Sequence, residues 1–186
     1  MKKRPLIPGS ADQWNLEHLA GHYDSLRDVE QMAHYSILAG LIKHFKVGRT
    51  ILDIGCGEGL LLDHVGKEDF KSYLGVDISE VALRNAELRS NKKASFLLAD
   101  AKSLKLRERF DCIVFNEILY SFPNPLEVID HYRPLLKKNG CFLTSNFIWS
   151  RKITSLINRL NSSYNCRHQV RVSNECGTWV CAIYKR

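Results

Sequence analysis

The chain has 186 residues, of which 45% are hydrophobic and 25% charged, and a formal net charge of +7 at pH 7. These fractions are those of an ordinary globular protein, and the length suits one domain with a sizeable core. No apolar run approaches the roughly 20 residues needed to cross a bilayer, and the basic segment 1–9 lacks the long apolar stretch of a leader peptide. We therefore predict a single cytoplasmic domain, 1–186, with no membrane contact.

The cysteines and histidines argue against a disulfide scaffold and against a metal centre. Six cysteines stand at positions 56, 112, 141, 166, 176 and 181, without a Cys-x-x-Cys pair. Free and mostly buried thiols are therefore expected. Seven histidines are scattered along the chain and form no spaced ligand set with the cysteines, so we predict no metal site.

The excess of Lys and Arg is compatible with a nucleic acid or an anionic small molecule as a partner. Most of these cations fall at predicted helix ends and loops, however, where solvated basic side chains are usual and interact favourably with the helix dipole. We therefore favour a small-molecule partner, which the charge allows to be anionic, over a nucleic acid.

Residues 11–45 precede the first predicted strand and have a helical pattern. The apolar positions recur three and four apart, at Val29, Met32, Ala33, Ile37, Leu41 and Phe45. This spacing predicts an amphipathic helix, and we expect residues 1–46 to form a helical lid. Aromatic and polar side chains occupy a less regular stretch upstream, at Trp14, His18, His22 and Tyr23.

The segment 50–62 is a short apolar strand that runs into three alternating glycines and a leucine-rich helix start. Glycine at 55, 57 and 59 lets the backbone approach a ligand closely and permits a positive φ. A dinucleotide fingerprint would require the third glycine at position 60, where the chain has Leu60. The pattern is instead Asp-x-Gly-x-Gly-x-Gly, beginning at Asp53. The alternative interpretation is a glycine turn of another α/β protein.

Two further predicted strands have acidic residues at their carboxyl ends, with Asp77 near the end of strand 72–78 and Asp100 directly after strand 94–99. Ligands of open α/β sheets bind outside the carboxyl ends of the strands. Asp77 can therefore accept hydrogen bonds from ribose hydroxyls, although it can also be an ordinary helix-capping residue. A carboxylate at Asp100, followed by the backbone N–H of Ala101, can bind both the amine and a ring nitrogen of adenine.

The remaining segments continue the alternation of strands and helices. Strand 110–117 is followed by a helix from Pro125 to about residue 138, strand 141–147 and a basic helix at 150–160. The alternation predicts a parallel sheet with right-handed crossovers. Segments 168–172 and 178–184 flank a tight turn and predict an antiparallel β-hairpin. The predicted fold class is α/β, with a central, mostly parallel, seven-stranded sheet, a C-terminal hairpin and helices on both faces.

This strand order and the motif at 53–59 resemble the class I S-adenosylmethionine-dependent methyltransferases over residues 51–184. The resemblance implies a Rossmann-like core at 47–186 and S-adenosylmethionine as the cofactor. Asn116 would hold the amino acid tail of that cofactor. The full set of cofactor-binding residues that the resemblance implies is Asp53, Gly55, Cys56, Gly57, Gly59, Asp77, Ile78, Asp100, Ala101 and Asn116.

The resemblance also implies residues on the acceptor side. Glu117 or Tyr120 would orient an amine or hydroxyl substrate, or Glu117 would act as a base, unless its carboxylate is structural. Tyr23 is the candidate from the lid, and packing of its ring against the lid helix is the alternative. The segment Asn-Glu-Ile-Leu-Tyr at 116–120 is also similar to that of small-molecule methyltransferases of the nodulation N-methyltransferase type. Amide-methylating enzymes would have prolines where Glu117 and Ile118 stand.

The predicted function is methyl transfer from S-adenosylmethionine to a nitrogen or oxygen of a small-molecule acceptor. A nucleic-acid methyltransferase is supported by the net charge and by one aromatic and basic cluster at 149–152. A non-catalytic, cofactor-binding partner subunit is the third hypothesis. A dehydrogenase is disfavoured because Leu60 replaces the glycine that would face a pyrophosphate.

Overall fold

The computed structural model describes residues 9–47 and 49–185, so that residues 1–8 of the predicted lid lie outside the described part. Seven strands form one sheet in the order β3-β2-β1-β4-β5-β7-β6. The strands are β1 (Thr50–Ile54), β2 (Ser72–Asp77), β3 (Ala94–Leu98), β4 (Phe110–Asn116), β5 (Leu136–Phe147), β6 (Asn165–Asn174) and β7 (Gly177–Lys185). The pairs among β1 to β5 are parallel, whereas β7 is antiparallel to both β5 and β6. The predicted mostly parallel sheet with a terminal hairpin is therefore confirmed.

Helices cover both faces of this sheet. They are α1 (Ala11–Leu19), α2 (Met32–Phe45), α3 (Glu80–Ala86), α4 (Pro125–Tyr132) and α5 (Arg151–Ser163). One apolar cluster joins Leu38 and Ile42 of α2 to one face of the sheet. A second cluster joins Ile129 of α4 and Leu160 of α5 to the other face. Among the described residues, no helix is long and apolar enough to span a membrane.

The N-terminal helical segment consists of two helices, α1 and α2, which are separated by residues 20–31. Gly21 has φ +70 and lies just after the end of α1. The N–H of His22 donates to the carbonyl of Glu17, and the N–H of Gly21 donates to that of His18, which is a Schellman ending. Two short 3-10 turns, Asp24–Arg27 and Val29–Gln31, then lead into α2.

Helix α2 belongs to the core layer rather than to a lid. Leu38 and Ile42 are fully buried, whereas Val29 is 70% exposed and Met32 is 47% exposed. The predicted apolar face was wrong at those two positions because Val29 precedes the helix. The helix begins three residues later than the spacing implied, and its buried residues are His34, Tyr35, Leu38, Leu41 and Ile42.

Two other element boundaries differ from the predictions. The helix predicted to reach residue 138 ends at Tyr132, because Pro134 has no N–H to continue the hydrogen-bond pattern. Strand β5 begins earlier than expected and contains Gly140, in an irregular register against β4. A Cβ on Gly140 would lie 3.1 Å from the carbonyl oxygen of Phe110, so this glycine permits the close approach of two strands.

A carboxylate is buried between β1 and β2. Asp53 is 2% exposed. Its Oδ2 accepts a hydrogen bond of 2.5 Å from the Tyr73 hydroxyl, while its Oδ1 has no partner among the described residues. Burial raises the pKa of Asp53 to about 7, although the Tyr73 hydrogen bond opposes this shift, and the nearby charge of Asp77 adds to it. This hydrogen bond links β1 to β2.

We predict that Leu38→Ala destabilises the protein by about 2–5 kcal/mol, because it removes a fully buried side chain from the core. The matched variant Val29→Ala should change the free energy of unfolding by no more than about 0.5 kcal/mol, since Val29 is largely exposed. Urea unfolding of both variants checks this. Equal losses would contradict the packing of α2 described here.

We also predict a pH-dependent penalty from Asp53. Its folded-state pKa is raised, so its contribution to stability is complete below the unfolded value of about 4 and is lost as the pH rises to about 7. Asp53→Asn should abolish this component. The free energy of unfolding of the wild type should therefore fall relative to that of the variant, by on the order of a few kcal/mol, between about pH 4 and pH 7.

Urea unfolding across that window measures the difference between the two proteins. Asp111→Asn is a suitable control. Burial would raise the pKa of Asp111, but its hydrogen bonds with Lys137 and Thr50 outweigh burial and lower it. The contribution of Asp111 to stability therefore changes only below this pH window. The difference in the free energy of unfolding between Asp111→Asn and the wild type should stay constant between about pH 4 and pH 7. A level difference for Asp53→Asn as well would refute the buried, proton-binding carboxylate.

Candidate functional site

One cavity opens at the carboxyl ends of β1 to β4, between the glycine turn and the N-terminal segment. It brings together the predicted residues Gly55, Cys56, Gly57, Asp77, Ile78, Asp100, Ala101, Asn116, Glu117, Tyr120 and Tyr23. Asp53 and Gly59 are absent from its lining. The structure thus assembles one site from segments far apart in the chain, but it separates two predicted residues from that site.

The glycine turn shows why Asp53 and Gly59 differ from the rest. Gly55, Gly57 and Gly59 all have positive φ, at +69, +54 and +73. A Cβ on Gly59 would lie 2.9 Å from the Phe96 ring, so this glycine serves packing behind the cavity. A Cβ on Gly57 would meet no protein atom within 4 Å, because this position faces open space. The carboxylate of Asp53 is turned inward, to its hydrogen bond with Tyr73.

Asp77 connects the glycine turn to helix α3. Its Oδ2 accepts a hydrogen bond from the Gly57 N–H and its Oδ1 accepts one from the Ser79 N–H, both at 2.8 Å. Burial raises the pKa of Asp77, against the effect of these two hydrogen bonds and of nearby His18. A carboxylate oxygen can accept more than one hydrogen bond, so Asp77 can still bind a pair of ligand hydroxyls. Ser79 is the N-cap of α3, and its hydroxyl oxygen accepts a hydrogen bond of 3.1 Å from the Ala82 N–H.

Polar groups also line the far side of the cavity. Asp100 accepts a hydrogen bond of 2.9 Å from the Lys102 N–H, and the Ala101 carbonyl accepts one of 2.7 Å from the Tyr132 hydroxyl. Asn116 follows the buried part of β4, and its Oδ1 is buried without a partner among the described residues. Buried polar atoms normally have partners, so this amide is suited to a polar ligand.

The Glu117 carboxylate is held by three hydrogen bonds. Its Oε1 accepts from the Ser145 hydroxyl at 2.8 Å, and its Oε2 accepts from the Phe147 N–H at 3.0 Å and from the Tyr120 hydroxyl at 3.1 Å. Glu117 also has φ +57, a left-handed conformation that costs a residue with a side chain about 1–2 kcal/mol. A carboxylate engaged in this way orients its neighbours, and it is poorly placed to remove a proton.

The thiol of Cys56 also lines the cavity. Burial raises its pKa well above the ordinary value, and the charges of Asp77 and Asp53 act in the same direction. A protonated thiol is neither a metal ligand nor a strong nucleophile. Cys56 therefore contributes shape and backbone, rather than sulfur chemistry, to the site.

The wall opposite the strands comes from α1 and the turn that follows it. Asn15 Oδ1 accepts hydrogen bonds from the Ser79 hydroxyl at 2.8 Å and from the Val81 N–H at 3.2 Å, which fixes α1 on the start of α3. Trp14, His18 and Tyr23 line the cavity. The Tyr23 hydroxyl donates to Glu17 at 2.7 Å. Residues of α1 and of the following turn therefore form one wall of the cavity.

Glu58 is a residue of the site that the sequence analysis missed. It lies between two of the glycines, is 7% exposed and pairs with Arg27. The Asn85 amide donates to its Oε1 at 3.0 Å. A charged residue inside a tight glycine turn was the available signal, but its partners lie 31 and 27 positions away and no spacing rule identifies them.

Comparison with known proteins agrees with this geometry. A family model described as a methyltransferase domain matches residues 16–173. The chain is 33% identical over 151 residues to ribosomal protein L11 methyltransferase of Ruminiclostridium cellulolyticum, which covers 78% of this chain and 46% of that protein. It is 29% identical over 129 residues to the malonyl-acyl-carrier-protein O-methyltransferase of Bacillus cereus, which covers 67% of this chain and 48% of that protein. The chain spans about half the length of these curated relatives.

The fold is similar to that of the N-methyltransferase NodS from Bradyrhizobium japonicum WM9, whose crystal structure contains S-adenosylhomocysteine. The TM-score is 0.80 at 17% sequence identity, and the match covers 96% of this chain and 99% of that one. The family model covers most of the chain, and the seven-stranded sheet ends in the predicted antiparallel hairpin. The chain therefore belongs to the class I S-adenosylmethionine-dependent methyltransferase family.

Proposed function

We propose that this chain binds S-adenosylmethionine in the cavity and transfers its methyl group to a nitrogen or oxygen of a small-molecule acceptor. The observation that carries the proposal is the convergence of Gly57, Asp77, Asp100 and Asn116 on one cavity. Among the described residues, no atom would lie within 4 Å of a Cβ on Gly57 and Oδ1 of Asn116 has no partner, which fits a polar, nucleoside-like ligand. The complexes of structural neighbours with S-adenosylhomocysteine support the choice of cofactor.

Four residues would each contact a different part of the cofactor. The Asp77 carboxylate would accept hydrogen bonds from the ribose hydroxyls, and Asp100 would accept one from the adenine amine. Asn116 would bind the amino acid tail, and the backbone at Gly57 would pass beneath it. When bound, this cofactor supplies an electrophilic methyl group on a sulfonium. The residues of the chain then have to align the acceptor atom with that group.

The lining of the cavity is rich in aromatic side chains, including Trp14, Tyr23, Tyr120 and Phe122. Such a lining suits a small acceptor with flat or apolar parts. Tyr120 would orient the reacting amine or hydroxyl, and Glu117 would hold the Tyr120 hydroxyl in place. Lys102 also lines the cavity and is the candidate partner for an anionic acceptor.

Transfer to a nucleic acid is the second candidate, and the structure gives it little support. Its sequence argument rested on the net charge, with Trp149 beside basic residues as the one candidate stacking surface. The Trp149 ring packs edge-on against Tyr120, with centroids 4.4 Å apart, and lies 6.2 Å from the Phe147 ring. An aromatic ring that packs against its own chain offers less surface for bases to stack on.

Incubation with methyl-labelled S-adenosylmethionine and, separately, the metabolite, RNA and protein fractions of a cell extract tests the function. We expect label in a small molecule, and binding of S-adenosylhomocysteine by calorimetry. Gly57→Ala should weaken that binding at least about tenfold and suppress transfer, because its Cβ enters the cavity at a positive φ. Gly40→Ala is the matched control, since its Cβ also meets no atom within 4 Å but lies on helix α2, with no positive φ.

Three outcomes would contradict parts of this proposal. Wild-type binding by Gly57→Ala would show that the cofactor lies elsewhere. Label in an RNA or protein fraction instead of a metabolite would show that the acceptor class is wrong. Cofactor binding without label in any fraction would favour the non-catalytic partner subunit.

We predict that Glu117→Gln and Tyr120→Phe each lower kcat/KM about tenfold or more for the acceptor and leave S-adenosylhomocysteine binding unchanged. Because Glu117 acts through Tyr120, the double variant should be no slower than the slower single variant. Tyr184→Phe is the control, since its hydroxyl binds Asn161, and neither residue lines the cavity. Multiplicative losses, or loss of a pH-rate limb in Glu117→Gln alone, would instead assign Glu117 as an independent base.

A further inference from the structure

His18 is a buried side chain with no role in the contacts described so far. It lies on α1, and its side chain is 9% exposed. It lines the same cavity as Gly57 and Asp77. Its Nδ1 is buried and makes no hydrogen bond to any described residue. The Oε1 of Glu58 lies 3.8 Å from this nitrogen, which is beyond hydrogen-bond distance.

The surroundings of His18 keep its imidazole neutral. Burial lowers its pKa below the ordinary value, against the carboxylates of Asp77, Glu58 and Glu17, and the positive charge of Arg27 adds to the lowering. A neutral imidazole has one N–H donor and one acceptor nitrogen. Such a ring can bind a hydroxyl group as either donor or acceptor.

The position of this ring is built by contacts on three sides. Asn15 fixes α1 on the start of α3 through its hydrogen bonds with Ser79 and Val81. Arg27 pairs with Glu58 of the glycine turn and so ties the following turn to the cavity floor. The Tyr23 ring lies 4.5 Å from the imidazole, centroid to centroid. The imidazole is therefore held beside Asp77 rather than left free to turn into solvent.

We propose that His18 is a cofactor-binding residue, which hydrogen-bonds a ribose hydroxyl of the bound adenosyl group together with Asp77. This inference rests on the proposed function. The two hydroxyls of a vicinal diol donate hydrogen bonds to the carboxylate oxygens of Asp77. Their lone pairs can still accept a hydrogen bond from the imidazole N–H. The contact also gives the buried Nδ1 the partner that it otherwise lacks, which removes a desolvation penalty.

Calorimetry with S-adenosylhomocysteine and its 2′-deoxy and 3′-deoxy analogues tests the proposal without turnover. His18→Phe keeps a ring against Tyr23 but removes both nitrogens. We expect it to bind S-adenosylhomocysteine about three- to tenfold more weakly, the loss of one net hydrogen bond. Removal of the hydroxyl that His18 contacts should then cost the variant less than it costs the wild type, because the two losses are the same contact.

His22→Phe is the matched control, since His22 is exposed and absent from the cavity lining. It should bind all three ligands as the wild type does. His18→Asn should recover part of the affinity, because its amide places a polar atom near the position of Nδ1. This variant also serves if His18→Phe lowers the thermal midpoint too far to be measured.

The outcomes separate the inference from the function on which it rests. Unchanged affinity in His18→Phe, or equal penalties for both deoxy analogues in variant and wild type, would overturn the ribose contact while the proposed function stands. Failure of the wild-type protein to bind S-adenosylhomocysteine would overturn the proposed function, and the inference with it.

Discussion

The site depends on the Asp77 carboxylate and on the two backbone N–H groups that donate hydrogen bonds to it. One of them belongs to Gly57 in the turn after β1 and the other to Ser79 before α3, so a single side chain fixes two loops relative to each other. The Gly55 and Cys56 N–H groups donate to the Val76 carbonyl and add backbone bonds to the same junction. The shape of the cavity floor therefore follows from the end of one strand.

Carboxylates are unusually concentrated around this junction. Asp53, Glu58 and Asp77 are all largely buried, and each has a different means of compensation. Asp53 has the Tyr73 hydroxyl and a raised pKa, Asp77 has backbone donors, and Glu58 has an ion pair with Arg27. Buried charges are expensive unless they are paired, and each of these carboxylates has a partner or a raised pKa.

Much of this arrangement was predictable because it is local in sequence. The strands were recognisable as short apolar runs that end in glycine or aspartate. Asp77, Asp100 and Asn116 were identified as candidate site residues because they lie at strand ends. Glu117 shows where this reasoning stops. Its hydrogen-bond partners Ser145 and Phe147 are on β5, about 30 residues away, and no local pattern specifies them. Asp53 was misassigned for the same reason, since its partner Tyr73 reaches it from β2.

Helix α1 has a further consequence for how the cavity is entered. None of its residues is fully buried, and Leu16 and Leu19 are 67% and 71% exposed, so it adds little apolar burial to the fold. Its attachment rests on a few polar contacts and on the hinge-like helix ending at Gly21. Such a segment can detach as a separate subglobal unit while the sheet stays intact. Ligand exchange would then require only local opening of the cover, at a rate set by these few contacts and not by the stability of the whole domain.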